Sequence, residues 1–115
     1  MVEHRRAPRR RAEEVIQVVN TITGESVGRI GNLSIDGMML VSDRPARDDA
    51  LYQFAFQLPD EHGQLHQLEI GLHEQWTEQA SVPGQHWVGL RFIDISPQDQ
   101  ALLQGWLERG RHSWE

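Results

Sequence analysis

A polar turn stands at residues 32–37, Asn32-Leu33-Ser34-Ile35-Asp36-Gly37, between two short apolar segments. An amide, a hydroxyl and a bare glycine backbone come close together here, so a ligand can approach the chain closely. The alternative interpretation is a self-contained turn, in which Asn32 and Ser34 bond their own backbone and Gly37 supplies a positive φ angle. Both interpretations can hold, because such a turn can also aim its side chains at a ligand.

Paired arginines precede this turn near the N-terminus, in the run Arg5-Arg6-Ala7-Pro8-Arg9, and Arg10 follows directly. Arg5 and Arg9 form an R-x-x-x-R pattern, and Arg6 and Arg10 repeat it one residue later. A guanidinium fork grips a phosphate, or the Hoogsteen edge of guanine, through two parallel hydrogen bonds. An isolated cluster would be read more simply as a solvated basic tail. Together with the turn, the arginines indicate a two-part anion site.

The two patterns in this order resemble the signature of the PilZ domain, a family of bacterial receptors for cyclic di-GMP. That signature is R-x-x-x-R followed by [D/N]-x-S-x-x-G, and its second part matches Asn32, Ser34 and Gly37. A further similarity to the last barrel strand of the family lies in Val88-Gly89-Leu90-Arg91-Phe92-Ile93-Asp94. The segment after it is similar to the family's C-terminal helix. The resemblance therefore extends from residue 5 to residue 109.

The resemblance implies a ligand, cyclic di-GMP, and a set of residues that bind it, with no cofactor and no metal. The implied residues are Arg5, Arg6, Arg9, Arg10, Asn32, Ser34, Gly37 and Trp76. Arg5 and Arg9 would contact phosphate and guanine, with Arg6 and Arg10 in support, and the turn would line the barrel surface opposite the arm. In part of the family an aromatic residue near the place of Trp76 stacks on a guanine. A half-buried tryptophan at a strand end is the alternative.

The register of the arginine pattern stays open in the sequence, since both pairs satisfy it. Arg5 and Arg9 are preferred, because the family often has paired arginines before the spacer and a proline, here Pro8, before the last arginine. In the family, the residue before the motif influences whether one ligand or a stacked pair binds. That residue is His4 in the preferred register and Arg5 in the other.

Six short segments of β-branched or alternating apolar residues, separated by turn residues, predict an all-β fold. They are residues 15–20, 26–30, 38–41, 51–58, 65–75 and 87–93. Such a pattern is typical of a small antiparallel barrel or sandwich. The resemblance specifies a six-stranded antiparallel PilZ-like β-barrel capped by a C-terminal α-helix.

The C-terminal helix has a clear predicted start, with Ser96 as N-cap and Pro97 in the first turn. Leu102, Leu103, Trp106 and Leu107 then recur at helical spacing and are expected to pack on one open end of the barrel. Gly110 is predicted as the C′ residue that ends the helix. Trp87 and Trp106 are both predicted to be core residues.

A single domain is expected for a chain of 115 residues, because this length supports one modest core. A flexible arginine-rich arm is predicted over residues 1–12, the barrel with its helix over 13–110, and a tail over 111–115. The first 11 residues contain five arginines and one acid, whereas the remaining residues contain six arginines and 16 acids. A cationic arm on an acidic body suits a small dianionic ligand better than a long nucleic acid, which the body repels.

Several function classes find no support in the sequence. No nucleophile elbow, phosphate-binding glycine loop or carboxylate pair indicates an enzyme. The chain has no cysteine, and its six histidines follow no metal-binding spacing. The apolar runs are too short for a membrane span or a signal peptide, so no membrane insertion and a cytoplasmic location are expected.

Three functions remain as hypotheses. The first is a cyclic di-GMP receptor in which ordering of the arm signals to a downstream protein partner, in motility, biofilm formation or another bacterial output. The second is a ligand-independent PilZ-like adaptor that acts by protein-protein contacts. The third is a small barrel whose arm binds nucleic acid, which the lack of a basic aromatic sheet face disfavours.

Overall fold

The computed structural model describes residues 7–110 of the chain. Its regular elements are seven β-strands followed by one α-helix. They are β1 (Arg10–Arg11), β2 (Gln17–Asn20), β3 (Ser26–Leu33), β4 (Gly37–Ser42), β5 (Leu51–Pro59), β6 (Leu65–Gln79), β7 (His86–Asp94) and α1 (Pro97–Arg109).

Strands β2 to β7 form a closed antiparallel barrel. The order around the barrel is β3-β2-β5-β6-β7-β4, and the pairing of β4 with β3 completes the ring. Closure pairs each of these strands on both sides, which protects strand edges from other chains. The predicted six-stranded antiparallel barrel with a C-terminal helix is confirmed.

The short strand β1 is a feature that the sequence does not predict. Arg10 pairs with Leu33 and Arg11 with Asn32, and the N–H of Ala12 donates to the carbonyl oxygen of Gly31 at 3.0 Å. Two residues are too few to show an alternating pattern. The last part of the predicted arm is therefore attached to β3 rather than free of secondary structure.

The barrel interior is filled by apolar side chains that alternate along the strands with outward-facing ones. The interior residues are Val18, Ile30, Leu33, Met38, Leu40, Phe54, Phe56, Leu58, Leu68, Ile70, Leu72, Val88 and Leu90. Full burial of a side chain of this size contributes about 1.5–3 kcal/mol relative to exposure. The outward residues of the same strands therefore stand on a firmly packed core.

Helix α1 covers one end of the barrel and begins as predicted. The hydroxyl of Ser96 accepts a hydrogen bond from the N–H of Asp99 at 3.1 Å, which caps the first turn. Leu103, Trp106 and Leu107 are buried in the core cluster, so the prediction of Trp106 as a core residue is confirmed. No helix within residues 7–110 is both long and apolar enough to cross a membrane.

Candidate ligand-binding site on the outer face of the barrel

The polar turn of the signature joins β3 to β4 and is closed by its own hydrogen bonds. The N–H of Ser34 donates to the carbonyl oxygen of Gly37 at 2.9 Å. The Ser34 hydroxyl donates to Asp36 Oδ1 at 2.7 Å and accepts from the Asp36 N–H at 3.3 Å. Ser34 is fully buried, so its hydroxyl fixes the shape of the turn.

Gly37 is required for space and not for an unusual backbone angle. Positive φ angles occur at other glycines of the described residues, and Gly37 is not among them, so the expectation of a positive φ there is wrong. A Cβ on Gly37 would lie 2.5 Å from the carbonyl oxygen of Leu90. Glycine therefore lets β4 start in close contact with β7, a cause that lies about fifty residues away in the chain.

A β-bulge just before the turn directs Asn32 to the outer face. Ile30 pairs with Leu40 and Asn32 pairs with Met39, so Gly31 is an extra residue in β3. Regular pairing would place Asn32 opposite Met38, which points into the barrel. Bulges re-aim side chains in this way, and here the bulge moves a polar side chain out of the core.

Arg9 lies beside Asn32 and joins the two parts of the signature. Its Nη1 donates to the Asn32 Oδ1 at 2.8 Å across a separation of 23 residues. Arg9 is thus placed on the outer face together with the turn. Arg5 and Arg6 lie outside the described residues.

Arg10 points to the end of the barrel that α1 covers. Its guanidinium carbon lies 3.8 Å from the ring centre of Trp106, and its Nη1 donates to the Trp106 carbonyl oxygen at 2.6 Å. Burial lowers the pKa of Arg10, and the nearby carboxylate of Glu13 partly opposes this effect. Arg9 directly precedes β1 and Arg10 begins it, and the two side chains point to different parts of the barrel.

Gly110 makes room for the Arg10 side chain at the end of α1. Gly110 follows the helix as predicted, but its φ of −108° is not left-handed. A Cβ there would lie 2.1 Å from the Nε of Arg10. We call Arg10, Trp106 and Gly110 the helix clamp. A glycine is therefore needed at position 110 because the side chain of Arg10, on β1, packs against it.

A second bulge, in β6, turns Trp76 to the outer face. Glu74 pairs with Leu90 and Trp76 pairs with Gly89, so Gln75 is the extra residue. Glu74 is buried, whereas the Trp76 side chain is 41% exposed. A regular strand would have sent Trp76 inward with Glu74, because residues two apart share a face.

Glu74 stabilises this second bulge from inside. One of its carboxylate oxygens accepts from the N–H of Asp49 and the other from the hydroxyl of Thr77, each at 2.8 Å. A buried carboxylate is costly unless it is hydrogen-bonded in this way. Since Glu74 and Thr77 both face inward, Trp76 between them is held outward.

The outward residues form one row across the barrel surface, which we call the outer row. Its members are neighbours on adjacent strands: Arg11, Asn32, Met39, Gly89 and Trp76. The Trp76 indole lies back over Gly89. With strands about 4.8 Å apart, the indole is roughly 10 Å from Asn32. The row is therefore cationic and polar at one end and apolar and aromatic at the other.

Met39 and Gly89 belong to this surface, and sequence reasoning missed both. One available signal was the spacing of Ile30 and Leu33, two apolar residues three apart, which breaks strict alternation next to Asn32.

The prediction of Trp87 as a core residue is wrong, since its side chain is 38% exposed. It lies two residues from Gly89 and therefore shares the outer face.

The histidines of the described residues make local contacts rather than a shared cluster. His66 Nε2 lies 2.8 Å from Asp60 Oδ2, and His73 Nε2 lies 2.5 Å from Asp49 Oδ1. Within residues 7–110, no group of three or more histidine, aspartate and glutamate side chains is arranged to hold a metal ion.

A PilZ domain family model matches residues 3–109, and the chain belongs to the PilZ domain family. The comparison with curated proteins gave no match. Among solved structures, the Bacillus subtilis inhibitor of motility, MotI/DgrA, is similar with 20% identity and a TM-score of 0.74, over 96% of this chain and 53% of that chain.

Two further similar structures contain cyclic di-GMP. The PilZ domain of YcgR from Escherichia coli has 14% identity and a TM-score of 0.67, over 96% of this chain and 93% of that one. The MrkH complex of K. pneumonia has 21% identity and a TM-score of 0.68, over 90% of this chain and 50% of that one. The chain thus spans about half the length of the MotI and MrkH chains, and these similarities establish the fold.

Proposed function

We propose that this chain is a cytoplasmic receptor for cyclic di-GMP that binds the ligand along the outer row and signals to a partner protein, with no catalytic role. The hydrogen bond between Arg9 and Asn32 carries the proposal, because it joins the two halves of the signature at one end of the row. Cyclic di-GMP in the YcgR and MrkH structures supports the choice of ligand.

Arg9 is the proposed anchor for a phosphate or a guanine edge. A hydrogen bond to a charged group contributes roughly 1.5 to 3 kcal/mol, which corresponds to about 10- to 100-fold in affinity. Arg5, four residues earlier, is its proposed partner in the motif, and Arg6 supports it. We favour this register because Arg10 is engaged by Trp106; Arg10 then supports the site by holding β1 in place.

The remaining site residues have distinct proposed roles. Asn32 donates or accepts at a guanine edge, since its amide can do both. Ser34 and Gly37 act by shaping the turn that carries Asn32. Trp76 stacks on a guanine, an interaction worth about 1 to 3 kcal/mol per base. Trp76 would hold one base at the apolar end of the outer row, and Arg9 and Asn32 would hold a phosphate or a guanine edge at the polar end.

Signalling is proposed to follow from the arm closing over the ligand. The arm joins the barrel at β1, so residues before Arg10 can change their contacts while β1 stays paired. Closure moves a cationic segment across an acidic body and changes the surface that a protein partner meets. A ligand can shift this equilibrium only through contacts that it makes in the closed state.

A ligand-independent adaptor is the second candidate, and one observation favours it. Arg9 is already paired with Asn32, and the Ser34 hydroxyl is bonded within its own turn. Both groups are therefore satisfied by the protein itself. In this case partner binding would persist when Arg5 and Arg9 are replaced.

Isothermal titration calorimetry with cyclic di-GMP tests the proposed function, with GTP as the control ligand. We expect saturable binding by the wild-type chain, and binding weakened about 10- to 100-fold in Arg9→Ala. Arg44→Ala is the matched control, because this exposed arginine contacts Asp43 away from the outer row. No heat with the wild-type chain would reject the receptor and leave the adaptor. The stoichiometry would report whether one ligand or a stacked pair binds.

A further inference from the structure

Gly89 lies under the indole of Trp76, and the two residues are cross-strand neighbours. An added Cβ on Gly89 would fall 2.2 Å from both the Cε2 and the Nε1 of Trp76, and 2.7 Å from its Cζ2. These three consecutive atoms form the long edge of the indole that carries its N–H, so this edge of the ring system lies against the glycine. Gly89 is buried although it faces outward, while Trp76 remains 41% exposed. One side of the indole is therefore covered and another is open to solvent.

Met39 repeats this arrangement in the same row. An added Cβ on Gly31 would fall 2.4 Å from the Cε methyl of Met39. Gly31 is the extra residue of the β3 bulge, so the bulge that turns Asn32 outward also provides the space for Met39. Two large outward side chains thus each lie down over a glycine, on either side of the strand β4–β7 pairing.

We infer that Gly31 and Gly89 are positioning residues of the ligand site. They leave room for Met39 and Trp76 to lie close to the sheet and form an apolar surface, which we call the floor, and a purine ring of the ligand stacks on this floor. This inference rests on the proposed function for its ligand. The floor begins beside Asn32, the partner of Arg9, because Asn32 and Met39 are paired across the strands. A ring on the floor is therefore within reach of the cationic end.

Gly89 matters for binding because it sets how close the Trp76 indole lies to the sheet. A methyl group on Gly89 would force the indole away by roughly 1.5 Å to restore a normal carbon-carbon contact of about 3.5–4.0 Å. An upright indole would occupy the space of the stacking base. Met39 is more tolerant, because its flexible side chain can move its terminal methyl aside. Gly89 is thus expected to matter more than Gly31.

A purely stabilising role is the competing explanation. Aromatic side chains cover glycines across strands and stabilise sheets without any ligand. That role predicts changes in unfolding free energy and none in affinity. The two explanations therefore separate when stability and binding are measured on the same variants.

The first test needs no ligand. The protein is labelled with 5-fluorotryptophan, and the ¹⁹F resonance of residue 76 is assigned from its absence in Trp76→Phe. We expect Gly89→Ala to shift that resonance by more than the other assigned tryptophan signals. Gly71→Ala is the matched control, since Gly71 lies on β6 and the three atoms nearest to a Cβ there belong to Asp94 and Ile93, at 3.1 Å and beyond. An unmoved residue-76 signal in Gly89→Ala would overturn the seating of the indole.

The second test is a double-mutant cycle measured by calorimetry with cyclic di-GMP. We expect Gly89→Ala and Trp76→Ala each to weaken binding by about 5- to 100-fold, the range of one stacked base. The double variant should bind no more weakly than Trp76→Ala alone, because the glycine acts only through the indole. Trp76→Phe should retain most of the affinity, and Gly31→Ala should lose less than Gly89→Ala.

The outcomes separate this inference from the proposed function. Wild-type binding with unchanged affinity in Gly89→Ala and Trp76→Ala would overturn the floor and leave the receptor intact. Losses that simply add in the double variant would overturn the positioning role of Gly89. No binding by the wild-type chain would overturn the receptor and the stacking role together, while the ¹⁹F result would still decide whether Gly89 seats the indole.

Discussion

Arg9, directly before β1, and Arg10, its first residue, serve two different regions of the molecule. Arg9 faces the outer row, where it donates to Asn32, which is covered and only 6% exposed. Arg10 faces the helix clamp, where its guanidinium stacks on Trp106 and donates to a carbonyl oxygen. The side chains are chemically identical, so the difference in role comes from the different directions in which these two neighbouring residues point.

The difference teaches which contacts are available for a ligand. At the outer row the guanidinium can exchange one amide oxygen for another acceptor at the surface. At the helix clamp the guanidinium fills space that Gly110 leaves open, and its Nε is buried without a hydrogen-bond partner. We therefore expect Arg10 to affect folding stability and Arg9 to affect binding.

Arg10→Ala is expected to produce the largest change in stability. Loss of a partly desolvated cation–π contact and of a charge-assisted hydrogen bond, less the relief of the unpaired Nε, should lower the free energy of unfolding by about 2–3 kcal/mol. For a domain of this size the melting temperature should fall by roughly 10 °C or more. Urea unfolding beside Arg44→Ala measures this. A loss below about 0.5 kcal/mol, the size of ordinary surface effects, would remove the distinction between the two regions.

Arg9→Ala is expected to change ligand-induced stabilisation and little else. At a ligand concentration 100 times the wild-type Kd, cyclic di-GMP should stabilise the wild-type chain by about 2.7 kcal/mol. A Kd weakened 10- to 100-fold leaves about 0.4 to 1.4 kcal/mol at the same concentration. Without ligand, Arg9→Ala should unfold within about 0.5 kcal/mol of wild type.

Thermal unfolding of Arg9→Ala and Arg10→Ala, each with and without ligand, completes this comparison. Arg10→Ala should keep most of the ligand-induced gain from its lower starting stability, provided that β1 stays paired. A gain lost equally in Arg9→Ala and Arg10→Ala would show that both arginines serve the ligand.

Gly110→Ala tests the clamp from its other side. The added methyl would meet the Arg10 guanidinium, so we expect a loss of about 1–2 kcal/mol in unfolding free energy, as for other overpacked sites. In the Arg10→Ala background the same substitution should cost nearly nothing, because the clashing group is gone. Urea unfolding of the four chains gives the coupling free energy. Additive losses would place the cost of Gly110→Ala in the helix end itself.

The fold was predictable because its signals are local. Alternating apolar residues, turn residues and the Ser96 cap each act over a few positions, and the family signature added the barrel and its helix. Part of the candidate site followed from the same signature, since Arg9 and Asn32 do meet. The register of neighbouring strands was not predictable, because it depends on partners distant in sequence.

The features that the sequence did not predict share this cause. The bulges at Gly31 and Gln75 decide that Asn32 and Trp76 face outward, and each is visible only against the opposite strand. The reason for Gly37 lies in Leu90, and the reason for Gly110 lies in Arg10. Met39 and Gly89 meet only because β4 pairs with β7. A sequence read segment by segment contains the residues of the outer row but not their adjacency.

The smallest expected effect concerns the turn between β5 and β6. The turn follows Pro59, the last residue of β5, whose carbonyl oxygen accepts from the Arg109 Nη2 of α1 at 2.7 Å. Here the hydrogen bond from His66, with backbone N–H groups in support, lowers the pKa of Asp60 from 3.8 to about 2. The folded state favours the charged carboxylate, so this stabilisation is present above about pH 4 and is lost as the pH falls through about 2.

Replacing His66 should therefore make the free energy of unfolding depend less on pH in the acid range. We expect His66→Ala to raise the pKa of Asp60 towards 3.8 but not fully, because the N–H groups of Gln64 and His62 still donate to it. Carboxyl ¹³C NMR titration reads the pKa directly, and His62→Ala keeps both backbone bonds as the control. An unchanged Asp60 pKa in His66→Ala would assign the effect to the backbone. Affinity at the outer row should not follow this titration, because Asp60 lies in a different region of the barrel from Arg9 and Asn32.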